Sequence, residues 1–103
     1  MSDAPIIRMK SARVSLPCTL RRRVGAPISA RTLEVGPGGM CVSSPRPLAT
    51  DETVEFDLPD VEMRISGHAR VVRQQRLNVY ALRFEDLPEP MARRLHALAV
   101  NAR

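Results

Sequence analysis

Val61-Glu62-Met63-Arg64-Ile65-Ser66-Gly67-His68-Ala69-Arg70-Val71 is the stretch whose reading decides the fold. Val61, Met63, Ile65, Ala69 and Val71 fall on odd positions, whereas Glu62, Arg64, Ser66, His68 and Arg70 fall on even ones. Successive side chains of a strand point to opposite faces, so a period of two predicts a strand with one buried face and argues against an amphipathic helix. Gly67 marks a bend or bulge within it.

The same alternation recurs on both sides. Val14, Leu16, Cys18 and Leu20 alternate with polar neighbours from Arg13 to Arg21, and Pro17, which has no N–H, places that strand at an edge or at a bulge. Gly25-Ala26-Pro27 turns the chain into a second strand from Ile28 to Val35. Gly36-Pro37-Gly38-Gly39 is the strongest punctuation in the chain, and it implies positive φ or a close backbone approach before a short strand from Met40 to Ser43. Val54, Phe56 and Leu58 share one face of a strand from Thr53 to Leu58. After a turn around Gln75 to Asn78, Tyr80, Leu82 and Phe84 share a face of the last strand. Beyond Asp86 the spacing of Met91, Leu95, Leu98 and Ala102 becomes helical.

Six short strands followed by one helix predict an all-β fold, a six-stranded antiparallel Greek-key-like β-barrel with a single C-terminal α-helix. The predicted core includes Val14, Leu16, Val54, Phe56, Ile65, Val71, Leu82 and Phe84. With 103 residues the chain has room for one such unit, expected over residues 13–103 behind a basic N-terminal arm at residues 1–12. A hydrophobic fraction of 44% and a charged fraction of 26% suit folding in water. No apolar run approaches the ~20 residues that span a bilayer, and no secretory leader is legible at the N-terminus. A cytoplasmic protein without membrane insertion is therefore expected.

Enzyme chemistry finds no foothold in the pattern. His68 and His96 are far apart, and neither a metal-binding His pair, a nucleophile elbow nor a phosphate loop is present. Neither catalytic nor metal-ligating residues are assigned. The carboxylates between Asp51 and Glu62 read as a solvated charged face. Cys18 and Cys41 belong to no CxxC pair and read as reduced core thiols, a disulfide or metal role being the alternative.

Charge is more informative. The net charge of +5 is carried by residues 1–49, where eight Lys/Arg stand against Asp3 and Glu34. Such asymmetry suits an anionic partner, or else a solvated arginine-rich surface. Nucleic acid gripped by Arg21, Arg22 and Arg23 is disfavoured, since the three aromatic residues are not interleaved with these arginines as a base-stacking platform requires. A basic arm beside a glycine-rich turn instead describes a site for a small phosphorylated purine compound. Arginine forks pair with phosphate and stack on purines, while the turn offers backbone N–H groups.

The order of these elements resembles the PilZ domain family of bacteria over about residues 8 to 100. In that family an RxxxR arm and a D/N-x-S-x-x-G turn grip the second messenger cyclic di-GMP. Gly67 to Arg73 and Tyr80 to Phe84 look like the family's two long strands. The resemblance implies a cyclic di-GMP-binding regulatory domain, not an enzyme, whose ligand-binding residues are Arg8, Arg13, Glu34, Gly36, Gly38 and Gly39 and which needs no cofactor. The motifs depart from the family's pattern in three places. Met9 stands where the first arginine would fall, one position after Arg8; Glu34 replaces Asp/Asn; and Gly36 replaces the serine. A degenerate adaptor that binds no nucleotide and acts on a protein partner is the alternative implied by those departures.

Overall fold

The computed structural model describes residues 12–59 and 64–101. The strands are β1 (Ala12–Arg13), β2 (Pro17–Arg21), β3 (Ile28–Val35), β4 (Gly39–Ser43), β5 (Thr53–Leu58), β6 (Ile65–Arg76) and β7 (Val79–Glu85), followed by α1 (Glu89–Asn101). All pairings are antiparallel. Strands β2, β3 and β4 form one meander and β5, β6 and β7 another. β4 pairs with β7 and β2 with β5, so the two meanders close into a six-stranded antiparallel barrel.

Alternation builds the interior as expected. Leu20, Phe56, Leu58, Ile65, Val71 and Leu82 are fully buried, and each such side chain contributes ~1.5–3 kcal/mol by leaving water. Phe56 and Phe84 lie with ring centroids 4.9 Å apart in a tilted pair. Val14 and Phe84 are half-buried and pack against the core, whereas Leu16, expected in the core, is half-buried in the break at residues 14–16 and does not join it.

Both barrel ends are stoppered. Residues 44–52 cross from β4 to β5 over one end and bury Leu48. At the other end α1 rests against β1, β3 and β6 and inserts Leu95 into the core. Glu89 in its first turn complements the helix dipole. Ala102, expected on the same helical face, lies outside the described residues.

Three details differ from the sequence expectation, and one part of it lies outside the described residues. The first strand is two pieces, β1 and β2, broken at residues 14–16. Thr32 mends the break: its Oγ1 accepts from the Leu16 N–H at 2.9 Å and donates to the Val14 carbonyl. β6 runs on to Arg76, so the turn narrows from Gln75–Asn78 to Leu77 and Asn78, the latter at φ 63°. The glycine with positive φ is Gly25 (φ 104°) and not one of the Gly36–Gly39 turn. Val61, Glu62 and Met63 lie outside the described residues; the part of that stretch from Ile65 onward forms β6.

Candidate functional site

Two β-bulges decide which side chains reach the outer face of the barrel. Ile28, Ala30 and Thr32 point inward along β3, so strict alternation would bury Glu34 as well. The register shifts between Thr32 and Glu34, which turns Glu34 outward and sends Val35 into the core. A second shift between Val71 and Arg73 turns Arg73 outward. Each bulge spares the core a charged group that would otherwise be costly to bury.

The consequence is a row across five strands. Arg13 opposes Glu34, Glu34 opposes Cys41, Cys41 opposes Ala81 and Ala81 opposes Arg73. Directly opposed residues of an antiparallel pair project from the same face. The centre is low, since Cys41 and Ala81 are small, and charged side chains stand on either side. Gly39 opposes Arg83 in the next row toward the turn, and Val79 opposes Arg76 in the row on the other side. Cys41, Val79 and Leu33 form a small apolar cluster on this outer face. Burial pushes the Cys41 thiol up, the charge of Glu34 adds to the rise, and Arg76 and Arg73 oppose it. Its Sγ donates to Gln75 Oε1 at 3.2 Å.

The glycine turn borders this face. Gly36 N–H donates to the Gly39 carbonyl at 3.0 Å, and Phe84 N–H to the Gly38 carbonyl at 3.1 Å, which ties the turn to β7. Of the residues expected to bind ligand, Arg13, Glu34, Gly36, Gly38 and Gly39 therefore come together at one margin of the sheet. Arg8, like Met9, lies outside the described residues. Sequence reasoning passed over Arg73, Arg76 and Arg83. Arg83 could have been found from its outward phase in β7, but Arg73 could not, because the bulge reverses its side.

A separate cleft lies elsewhere, at the flank of β2, β5 and β6. It has a volume of ≈ 830 Å³ and is lined by residues that include Arg21, Arg22, Arg23, Glu52, Glu55 and His68. Its charges are largely self-neutralised. Arg22 Nε and Nη2 donate to the two Glu52 oxygens at 2.6 and 3.1 Å, and His68 lies 3.6 Å from Glu55. Nearby, Arg64 stands 3.2 Å from Asp57. The carboxylates expected to form a solvated face are thus partly ion-paired, with Glu52 and Asp57 side chains only 17% and 14% exposed. An anionic ligand would have to break the Arg22–Glu52 fork to use Arg22. The outer-face row makes no such demand: no carboxylate bridges to Arg13, Arg73, Arg76 or Arg83 among the described residues.

A family model for the PilZ domain matches residues 7–100. The chain belongs to the PilZ domain family. PilZ domains are binding and regulatory modules, and the family is one of cyclic di-GMP receptors. Two solved structures agree on the PilZ fold. The PilZ domain of CeSA from a cellulose-synthesizing bacterium is similar at a TM-score of 0.69 and 13% identity, over 89% of this chain and 96% of that one. The Bacillus subtilis inhibitor of motility, MotI/DgrA, is similar at a TM-score of 0.72 and 14% identity, over 89% of this chain. This PilZ chain spans about half of that longer protein, 48% of its length. No curated protein matches in sequence.

No metal-binding cluster of His, Cys, Asp or Glu occurs among the described residues of this PilZ chain. Cys18 and Cys41 are free and buried. No helix among the described residues is long and apolar enough to cross a membrane.

Proposed function

We propose that this PilZ domain is a cyclic di-GMP receptor and not an enzyme, and that it reads its ligand on the outer face centred on the Arg13–Glu34–Cys41–Ala81–Arg73 row. The observation that carries the reading is the cross-strand pairing of Arg13 with Glu34 beside the glycine turn. Arg13 and Arg73 offer guanidinium forks to the two phosphates, and Arg83 stands within the same face. Glu34 offers a carboxylate that can accept from the N1–H and exocyclic amine of a guanine. Cys41 and Ala81 are small but buried, so a flat purine reaches the sheet there by displacing the side chains that cover them, Gln75 among them. Gly38, the partly exposed glycine of the turn, lets the ligand approach the backbone closely, while Gly36 and Gly39 are buried and bonded to each other. Arg8, which lies outside the described residues, is the arm residue that would add to this grip in a cytoplasmic protein.

Titration calorimetry with cyclic di-GMP tests the reading. Arg13→Ala and Arg73→Ala should each cost roughly 2–3 kcal/mol of binding, the scale of a charge-assisted contact, whereas Arg22→Ala should cost little. Met9→Arg and Gly36→Ser should tighten binding by returning lost donors. Equal losses from Arg13→Ala and Arg22→Ala would remove the site from this face.

A second reading rests on the serine position. Gly36 contributes no hydroxyl and Glu34 is one methylene longer than aspartate, so the same face can serve a protein partner without nucleotide. Absence of binding in both the native and the restored chains would favour that adaptor role.

A further inference from the structure

The end of the barrel crossed by residues 44–52 carries a feature that nucleotide binding does not use. β2 and β6 both run toward that end, so the β2–β3 loop and the β6–β7 turn open there together. Each tip presents one large apolar side chain to solvent: Val24 is 84% exposed and Leu77 is 80% exposed. The remaining exposed large hydrophobic among the described residues, Val100, lies on α1 and is 49% exposed. Single exposed apolar residues are ordinary on a protein surface; two of them at the tips of turns on one rim need a reason. Gly25 and Asn78, both at positive φ, shape the two turns and directly follow the apolar residues.

Charge gathers at the same rim. Residues 21–27, 44–52 and 75–78 hold five arginines, Arg21, Arg22, Arg23, Arg46 and Arg76, against Asp51 and Glu52. That surplus of three is more than half of the chain's net +5. Glu52 is occupied by Arg22, while Arg21, Arg23, Arg46 and Arg76 are exposed. An arginine immediately precedes each apolar tip, as Arg23-Val24 and Arg76-Leu77.

We propose that this rim docks on an anionic lipid surface, the arginines pairing with lipid phosphates while Val24 and Leu77 enter the headgroup boundary. Guanidinium forks match phosphodiester oxygens, and short apolar protrusions gain by leaving water at the interface. The shape favours lipid over an acidic protein. Val24 and Leu77 project from convex turns and form no continuous patch of the ~800 Å² per partner that a stable protein interface covers. A bilayer boundary accepts such protrusions without a matching pocket. Docking of this kind leaves the Arg13–Glu34–Cys41–Ala81–Arg73 row clear along the barrel wall, with Arg76 at the boundary between that face and the rim.

The chain has no tryptophan, so Leu77→Trp places a single fluorophore at the rim of the otherwise native full chain. Its emission should shift to the blue with phosphatidylcholine vesicles containing about one-quarter phosphatidylglycerol, and not with phosphatidylcholine alone. A Val100→Trp chain should show no shift. In co-sedimentation of the tryptophan-free chain, Arg23→Ala or Arg76→Ala should each weaken partitioning roughly fivefold, the factor expected for one basic residue at an anionic surface. Val24→Ser with Leu77→Ser should weaken it several-fold while retention on heparin stays unchanged. Because these side chains are exposed, circular dichroism should confirm that every variant folds. No blue shift at residue 77, an equal shift at residue 100, or an equal shift with soluble heparin would overturn the proposal, the last assigning the rim to an acidic macromolecule.

Discussion

Replacing Thr32 by valine tests how the barrel holds the beginning of its candidate site. The side chain is 0% exposed, and its hydroxyl accepts from Leu16 and donates to Val14, adding to the backbone bonds Val14 N–H to Leu33 and Thr32 N–H to Leu16 that also span the break. Valine has nearly the same shape, so packing changes little while two hydrogen bonds disappear. Each bond contributes ~1 kcal/mol net, and a stranded donor or acceptor costs ~1–3 kcal/mol when water cannot reach it. Val14 and Leu16 are half-buried, so water relieves part of that penalty. The expected loss is roughly 2–3 kcal/mol. For a domain of this size that corresponds to a fall of about 10–20 °C in Tm. Thr32→Ser keeps the hydroxyl and removes one methyl group, so it should cost only ~1 kcal/mol. Urea unfolding of the three proteins, with hydrogen exchange at the Leu16 amide, measures both effects. The substitution should also weaken ligand binding, because Arg13 enters its register with Glu34 just before the break. The bridging role is refuted if Thr32→Val stays within ~0.5 kcal/mol of the native chain, or if Thr32→Ser costs as much.

Gly25→Ala should destabilise the fold by ~1 kcal/mol although a Cβ there meets nothing within 4 Å, since φ 104° strains any L side chain; an unchanged Tm would remove the strain argument. Gly67→Ala should cost a similar ~1 kcal/mol for the opposite reason, as its Cβ would press on Leu87 at 3.2 Å and on the buried Phe56 ring at 3.3 Å, and chemical denaturation would read both. Burial raises the Glu52 carboxyl, but the Arg22 hydrogen bond, the Ala49 N–H and the Arg22 charge together hold it below the 4.5 of a free glutamate. Its contribution to stability is therefore complete above that value and lost as pH falls through the lower folded one, so Glu52→Gln should flatten the acid limb of a stability–pH curve. Burial pushes the Cys18 thiol up to about 12 and also raises Cys41, so neither should react with iodoacetamide near pH 8 until the chain is unfolded; mass spectrometry of the labelled protein decides.

Local rules were enough for the strands, the helix and the family resemblance. Val54, Phe56 and Leu58, then Ile65, Ala69 and Val71, then Tyr80, Leu82 and Phe84 keep period two. A barrel with one buried face per strand follows from that pattern with its intervening turns. Arg13, Glu34 and the glycine turn were likewise legible as candidates, because residue type and order suffice to nominate them. Which candidates share a face was not legible. Glu34 and Arg73 reach the outer surface only because β3 slips one residue against β4 and β6 one residue against β7. A slip of one residue exchanges the two faces of a strand, and its position is set by pairing with a neighbour distant in the chain. The same holds for the Arg22–Glu52 fork, thirty residues apart in sequence, and for the turns of Val24 and Leu77 opening at the same end of the barrel. Alternation fixes each strand's phase from its own residues, whereas register and closure depend on partners that only the folded chain brings together.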